Sequence, residues 1–458
     1  NAGGNGTYNL SGGTNTVTND LTIGQYSGSS GTYTISGGTL DVTGSIVDGA
    51  GNSTLNNNGG TLNVGGTMDV DTYGLGITSG SNVSHNTATT PNYTFDNLNV
   101  GGSGTGAFTH SDGSTVSLTN LSLGINAGGS ATYNLGGTSN LTAANETIGN
   151  SGTGTFTHSG GTNAISNGLF IGNNGGSSGT YSLSDTGTVS ATDEYVGRYG
   201  TGSFAQTSGT NTVSNRLYLG TYSGASGTYD LSGSSDVSAN IFYFGNAGTG
   251  EFNQSGTSTA TTNELWLGYY SGGNATYNLS ETGSLSATDE TIGRDGVGTF
   301  TQTGGTNTIT NDLNMGLNSG SSGTYTISGG TLDVTGSIVN GLGDSTFNND
   351  GGTLNVGGTI DVDTYGLGIT SGSNVNHTTT TTPNLTFDNL NVGGEGTGTF
   401  THSDGSTLGL TDLRLGMDSG GSGTYTISNG TLNVSGSIVD GAGTSTLNND
   451  GGTLNVGG

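Results

Sequence analysis

Cysteine and lysine are both absent from this chain, and proline occurs only at Pro91 and Pro383. Without cysteine there are no disulfides and no thiolate metal sites. Histidine aside, the only basic residues are Arg198, Arg216, Arg294 and Arg414, and the net charge is −28. That balance excludes nucleic-acid binding by phosphate neutralisation, and an anionic membrane surface would repel the chain. No apolar run approaches the roughly 18 residues of a membrane helix, so no direct membrane insertion is expected. Helix signals are missing as well, with no 3.6-residue periodicity and few strong helix formers.

What is present is glycine, 95 residues of 458, with threonine, serine and asparagine making up much of the rest. Such a composition also fits disorder. Two features oppose that. Charged residues are only 8% of the chain, and the apolar residues recur at fixed places. The stretch Gly31 to Val47, GTYTISGGTLDVTGSIV, returns unchanged at Gly323 to Val339 and with small changes at Gly423 to Val439.

Aligned on their small-small-aromatic starts, most repeats step alternately by 25 and 23 residues, and two longer steps of 75 begin at Gly31 and Gly323. Fixed periods of this length indicate a solenoid. Each unit holds about three short strand-like runs, the last ending apolar-x-apolar-Gly as in Leu121-x-Leu123-Gly124 and Leu217-x-Leu219-Gly220. Period-two alternation puts one face inward and one outward, and Gly, Asn, Asp and Ser occupy the turns. The expected fold is all-β, a single-stranded parallel β-helix with one coil per 23–25 residues, running as one array over 1–458. Some 19 coils at roughly 4.8 Å give a rod of about 90 Å. Stacking on like neighbours would offset the low apolar content, 28% of the chain.

The alternation carries a second pattern. The shorter units open with tyrosine and place an apolar residue two positions on: Tyr133/Leu135, Tyr181/Leu183, Tyr229/Leu231 and Tyr277/Leu279. Tyr33/Ile35 and Tyr325/Ile327 open the long steps, and Tyr425 opens the last such unit. The longer units open with phenylalanine and place His or Gln there: Phe108/His110, Phe156/His158, Phe204/Gln206, Phe252/Gln254, Phe300/Gln302 and Phe400/His402. These residues are the expected core columns. A buried His or Gln needs a hydrogen-bond partner, from a turn carbonyl or a neighbouring rung.

Within each 75-residue step there is room for three rungs, interrupted by a Thr-rich, Pro-ended segment. These segments, 78–94 and 370–386, are expected as loop insertions leaving the rod. The stretch 31–124 returns 292 residues later as 323–416, a long super-repeat. Both ends of the sequence fall inside repeats, as in a piece of a longer array or a subunit whose ends abut.

The recurring Gly-Thr-Tyr/Phe-x-Leu/Gln-Ser-Gly-Gly-Thr, followed by apolar-x-apolar-Gly, resembles repeats of bacterial autotransporters (type V secretion) and of PEP-CTERM-associated surface proteins. The resemblance covers nearly the whole chain and implies a right-handed β-helix exposed outside a Gram-negative cell. It implies no chemistry, and neither the membrane-anchoring barrel nor the sorting tail is in this sequence.

Candidate chemistry is sparse. Asp69-x-Asp71 and Asp361-x-Asp363 each put two carboxylates on one strand face, which a glycan hydrolase would need. A site duplicated within one chain is unusual, and a solvated strand is the plainer account. Asp193-Glu194 and Asp289-Glu290 precede the third strand in related repeats and read as a repeated turn position. His110 and His158 are two rungs apart, about 10 Å, too far to share zinc. Turns such as Asp48 to Asn52 offer oxygen ligands for calcium, but no calcium-roll nonapeptide recurs, so no cofactor is expected. Tyr26, Tyr199, Tyr222, Tyr269 and Tyr270 are candidates to stack on sugars or on a neighbouring rod. The expected role is not enzymatic. It is an extracellular structural protein, a cell-surface fibre, filament or matrix element, with unpaired strand edges at the ends inviting end-to-end self-association. The alternative is an adhesin for glycans or other surfaces.

Overall fold

The computed structural model describes residues 3–86, 92–379 and 384–457. The chain divides into two compact units, Asn1–Ser238 and Ala239–Gly458. Each is a stack of parallel strands wound as a β-solenoid, with no helix among the described residues. Together the units hold about 19 turns of about 23 residues.

One turn of the first unit shows how the residues make it. In the strand Thr105–His110, Gly106, Phe108 and His110 point inward, while Thr105, Ala107 and Thr109 do not. The next strand, Thr115–Leu123, loses that alternation at 117–120, where four successive residues are not fully buried. The strand bends there, so it serves two sides of the turn, Val116 filling the core from one and Leu121 and Leu123 from the other. The three short strands of a rung are thus three ladder segments, two of them carried here by one bent strand. Hydrogen bonds join each segment to its copy in the next turn: Phe108 stands beside Tyr133, Tyr133 beside Phe156, and Phe156 beside Tyr181. Glycine closes the apolar-x-apolar-Gly segments for a steric reason. Gly149 sits at φ +71°, and a Cβ there would collide with the Ser178 carbonyl of the next turn, a combination that only glycine accepts readily.

The 75-residue steps hold more than the three rungs expected. In the first unit Tyr33 pairs with Leu55, Leu55 with Tyr73, Tyr73 with Leu98 and Leu98 with Leu121. A column that begins on the aromatic strand therefore ends on the apolar-x-apolar-Gly strand. The aromatic motif reopens on the neighbouring side, where His85 pairs with Phe108. From Gly31 to Gly106 the chain completes three turns and a third of another. The shift arises in one short turn, 18 residues from Leu55 to Tyr73 (73 − 55). The second unit repeats it: Tyr325, Phe347, Tyr365, Leu390 and Leu413 form one column, and His377 pairs with Phe400 on the next side.

These pairings overturn most of the loop insertions expected at 78–94 and 370–386. Asn82–Asn86 and Asn374–Thr378 are strands, and the strands Tyr93–Val100 and Asn384–Val392 begin inside the same stretches. Val83, His85, Tyr93 and Phe95 are all buried. Alternating large side chains that fill the core outweigh the Thr-rich composition around them. Pro91 and Pro383 lie outside the described residues.

Candidate functional site

The core columns are the most elaborated part of the molecule. Tyr33, Ile35, Phe108, His110, Tyr133, Leu135, Phe156, His158, Tyr181, Leu183, Phe204, Gln206 and Tyr229 are buried in the first unit, and Phe252, Tyr277, Phe300, Tyr325, Phe400 and Tyr425 in the second. Strand spacing sets the rings face to face. Centroids of Tyr133, Phe156, Tyr181, Phe204 and Tyr229 follow one another at 4.8, 4.7, 4.7 and 4.6 Å. Tyr277, Phe300 and Tyr325 follow at 4.7 and 4.5 Å. Burial of one such ring contributes about 1.5–3 kcal/mol, and each ring pair about 0.5–1.5 kcal/mol more.

The alternation of Tyr and Phe turns has a hydrogen-bond cause. Where a tyrosine turn follows a Phe turn, its hydroxyl reaches back to the His or Gln of that turn. Tyr229 donates to Gln206 Oε1 at 2.6 Å and Tyr325 to Gln302 Oε1 at 2.6 Å. Tyr181 and Tyr133 meet His158 Nδ1 and His110 Nδ1 at 2.9 and 3.1 Å. The far side of each group is held by backbone: His110 Nε2 lies 2.9 Å from the Ser114 carbonyl, and Gln206 Nε2 donates to Gly209 and Asp236 carbonyls at 2.9 and 3.0 Å. Nε2 is therefore the protonated ring nitrogen of His110, and tyrosine donates to Nδ1. Turn carbonyl and neighbouring rung both contribute. Burial holds His158, His85 and His377 down at about 4, so these rings are neutral.

Sequence reasoning missed a second polar element. Asp193-Glu194 and Asp289-Glu290 are not turn positions. Glu194, Glu290 and also Glu146 are fully buried inside the third ladder segment. Burial pushes their carboxyls up to about 7, 8 and 8 respectively. The signal was in the motif: Glu146-Thr147-Ile148-Gly149, Glu194-Tyr195-Val196-Gly197 and Glu290-Thr291-Ile292-Gly293 place glutamate at the first apolar site of apolar-x-apolar-Gly.

One aspartate of each pair has structural partners. Asp71 accepts the Ser53 backbone N–H at 2.8 Å, and its own N–H donates to Ser53 Oγ at 2.8 Å. Asp363 is tied in the same way to Ser345, both at 2.8 Å, and also accepts Asn340 Nδ2 at 2.7 Å. Each aspartate therefore locks one turn to the one before it. Among the described residues no group of three or more His, Cys, Asp or Glu is placed to hold a metal ion.

The surface carries aromatic rows. In the first unit Phe170, Tyr195 and Tyr218 stack at 5.1 and 4.8 Å on the outward side of the third segment. Arg198 lies over the Phe170 ring at 4.9 Å, and Tyr199 stacks on Tyr222 at 4.1 Å. In the second unit Arg294 lies 4.1 Å from the Tyr269 ring centroid, with Trp266 edge-on to Tyr269 at 5.4 Å. Tyr26, Tyr199, Tyr222 and Tyr270 are exposed, and Tyr269 is half-buried.

The ladders also show open edges among the described residues. Asn5–Val17 pairs with Ser30–Val42 on one side only, leaving Tyr8 49% exposed above Tyr33 at 4.8 Å. Thr444–Asn449 and Thr453–Val456 likewise pair on one side, with Leu447 and Val456 exposed. The chain matches no family model, no curated protein and no solved structure.

Proposed function

We propose that the chain is a structural protein of the cell surface or extracellular matrix, whose solenoid turns stack into a fibre and whose copies join end to end. The observation that carries this reading is the equivalence of turns. Tyrosine and phenylalanine turns stack by the same parallel backbone ladder, with ring centroids 4.5 and 5.4 Å apart along Phe300, Tyr325 and Phe347, so a turn of one copy offers the kind of surface that a turn of another needs. Among the described residues, the half-exposed Tyr8 on the strand Asn5–Val17 stacks on Tyr33 and offers its other ring face to a further turn. Unpaired strand edges template further pairing unless they are covered. Negative-stain electron microscopy tests it. Unbranched filaments are expected, and Tyr8→Asp, which sets a charge on the open column, should shorten them to single rods without changing the circular dichroism. Single rods from the unaltered chain would overturn the proposal.

A second reading, an adhesin for glycans, is favoured by the outward aromatic rows. Glycan binding lost on Tyr199→Ala with Tyr222→Ala, with filament length unchanged, would support it.

A further inference from the structure

Three carboxyl groups are packed where the solenoid is otherwise apolar. Glu146 stands between Leu121 and Leu169, Glu194 between Leu169 and Leu217, and Glu290 between Leu265 and Leu313. Each receives one hydrogen bond, at Oε2, from an asparagine of the next turn: Asn163 at 2.9 Å, Asn211 at 2.9 Å and Asn307 at 3.2 Å. The other carboxyl oxygen, Oε1, is buried with no partner in all three. So is Oδ1 of all three asparagines. The orphans come in matched pairs, on the two groups already joined by the first bond.

An ionised carboxylate and an amide oxygen are both acceptors only, so neither can satisfy the other. A single proton resolves both. With Oε1 protonated, its O–H donates to asparagine Oδ1 while asparagine Nδ2 donates to Oε2, closing a two-bond ring between acid and amide. The rest of the network then completes itself. The asparagine's remaining N–H donates to the tyrosine of the turn after, Tyr181, Tyr229 or Tyr325, at 3.3, 3.0 and 3.3 Å. The tyrosine donates to His158, Gln206 or Gln302.

We propose that Glu146, Glu194 and Glu290 are held as neutral carboxylic acids, each ring-paired with an asparagine of the next turn, so that the solenoid takes up protons as it folds and is weakened by rising pH. The titratable groups facing the carboxyls offer no counter-charge: Tyr133 and Tyr181 for Glu146, Tyr181 and Tyr229 for Glu194, Tyr277 and Tyr325 for Glu290. His158, joined through Tyr181, is itself kept neutral by burial. The raised carboxyl values, about 8, 7 and 8 against 4.5 for a free glutamate, agree with this geometry. For an acid raised in the folded state, the contribution is full below the unfolded value. It falls as pH climbs toward the folded value, and above that it is level. Within this window each carboxyl shifts the folding equilibrium toward the unfolded chain by up to about tenfold per pH unit.

The test compares the full chain with the triple variant Glu146→Gln, Glu194→Gln, Glu290→Gln. Glutamine closes the same ring with its amide and cannot ionise. The unfolding midpoint of the unaltered chain should fall relative to the variant between about pH 5 and 8, and the two curves should run parallel above that. Parallel curves throughout would overturn the proposal. A variant-free reading keeps it falsifiable if the variant does not fold. Carbon-13 NMR of glutamate-labelled protein should find three of the seven glutamate carboxyls protonated at about pH 6, and seven ionised carboxyls there would overturn it.

Discussion

Tyr277 and Tyr325 hold corresponding places in the second unit, yet their surroundings are built differently. The Tyr325 hydroxyl meets both Gln302 and Asn307, and Asn307 in turn holds the buried Glu290. The Tyr277 hydroxyl donates to Gln254 Oε1 at 2.5 Å, but Phe242 fills the glutamate site and Ala260 the asparagine site. Phe242 packs on Phe244 at 5.3 Å and on Phe252 at 6.1 Å. In these two turns acid and amide are thus both present or both replaced by apolar groups. The same holds around Tyr425, where Leu390 and Leu408 stand at the two sites. A buried polar group is costly when its partner is missing and nearly neutral when both partners are exchanged together.

The sharpest break in that comparison is Asn307→Leu, which strands the Glu290 carboxyl. At pH 7 it should cost about 2–4 kcal/mol in urea unfolding. The double change Glu290→Phe with Asn307→Ala imitates the neighbouring arrangement and should stay within about 1.5 kcal/mol of the unaltered protein. The cycle through both single variants should then show a coupling of about 1–3 kcal/mol. Running the exchange backwards, Phe242→Glu should cost about 2–3 kcal/mol, and adding Ala260→Asn should recover at least half of it. Recovery of nothing would mean that the acid–amide pair is not what fits these sites.

Much of the fold was legible because glycine-bounded, period-two runs recur at a fixed spacing. Phe156-x-His158 and Tyr181-x-Leu183 declare an inward column without any knowledge of the turns between. The sideways shift of the aromatic motif was not legible. Nothing local in Leu55 to Tyr73 says that its 18-residue turn stacks a strand of one kind on a strand of another. Asn82–Asn86 was obscured by the Thr-rich and Pro-ended sequence that follows it, although Val83 and His85 keep the alternation. The buried glutamates were obscured by residue type. Glutamate is an acceptable core residue only when protonated and paired, and its partner lies 17 residues away, in another turn.

A smaller effect separates the two tyrosines. Tyr277→Phe removes one bond and leaves Gln254 Oε1 alone, about 1 kcal/mol. Tyr325→Phe also strips Asn307 of an acceptor, and should cost about 1 kcal/mol more. Equal costs would show that the Asn307 contact at 3.3 Å contributes nothing.

Smallest at neutral pH is the exchange between histidine and glutamine turns of the first unit. Tyr181 bonds His158 where Tyr229 bonds Gln206, so His158→Gln should change stability by less than about 1 kcal/mol at pH 7. In acid the variants part. Burial lowers His158 to about 4 from 6.5, so its neutral ring contributes stability above pH 6.5 that is lost as pH falls toward 4, when the unfolded chain binds the proton first. The loss runs at up to about 1.4 kcal/mol per pH unit. Histidine turns therefore weaken the stack on the acid side, while the glutamate turns weaken it on the alkaline side. Thermal unfolding of His158→Gln from pH 7 down to 4 should show a shallower decline than the unaltered chain, and identical declines would mean that His158 takes up its proton as readily inside the core as in the unfolded chain.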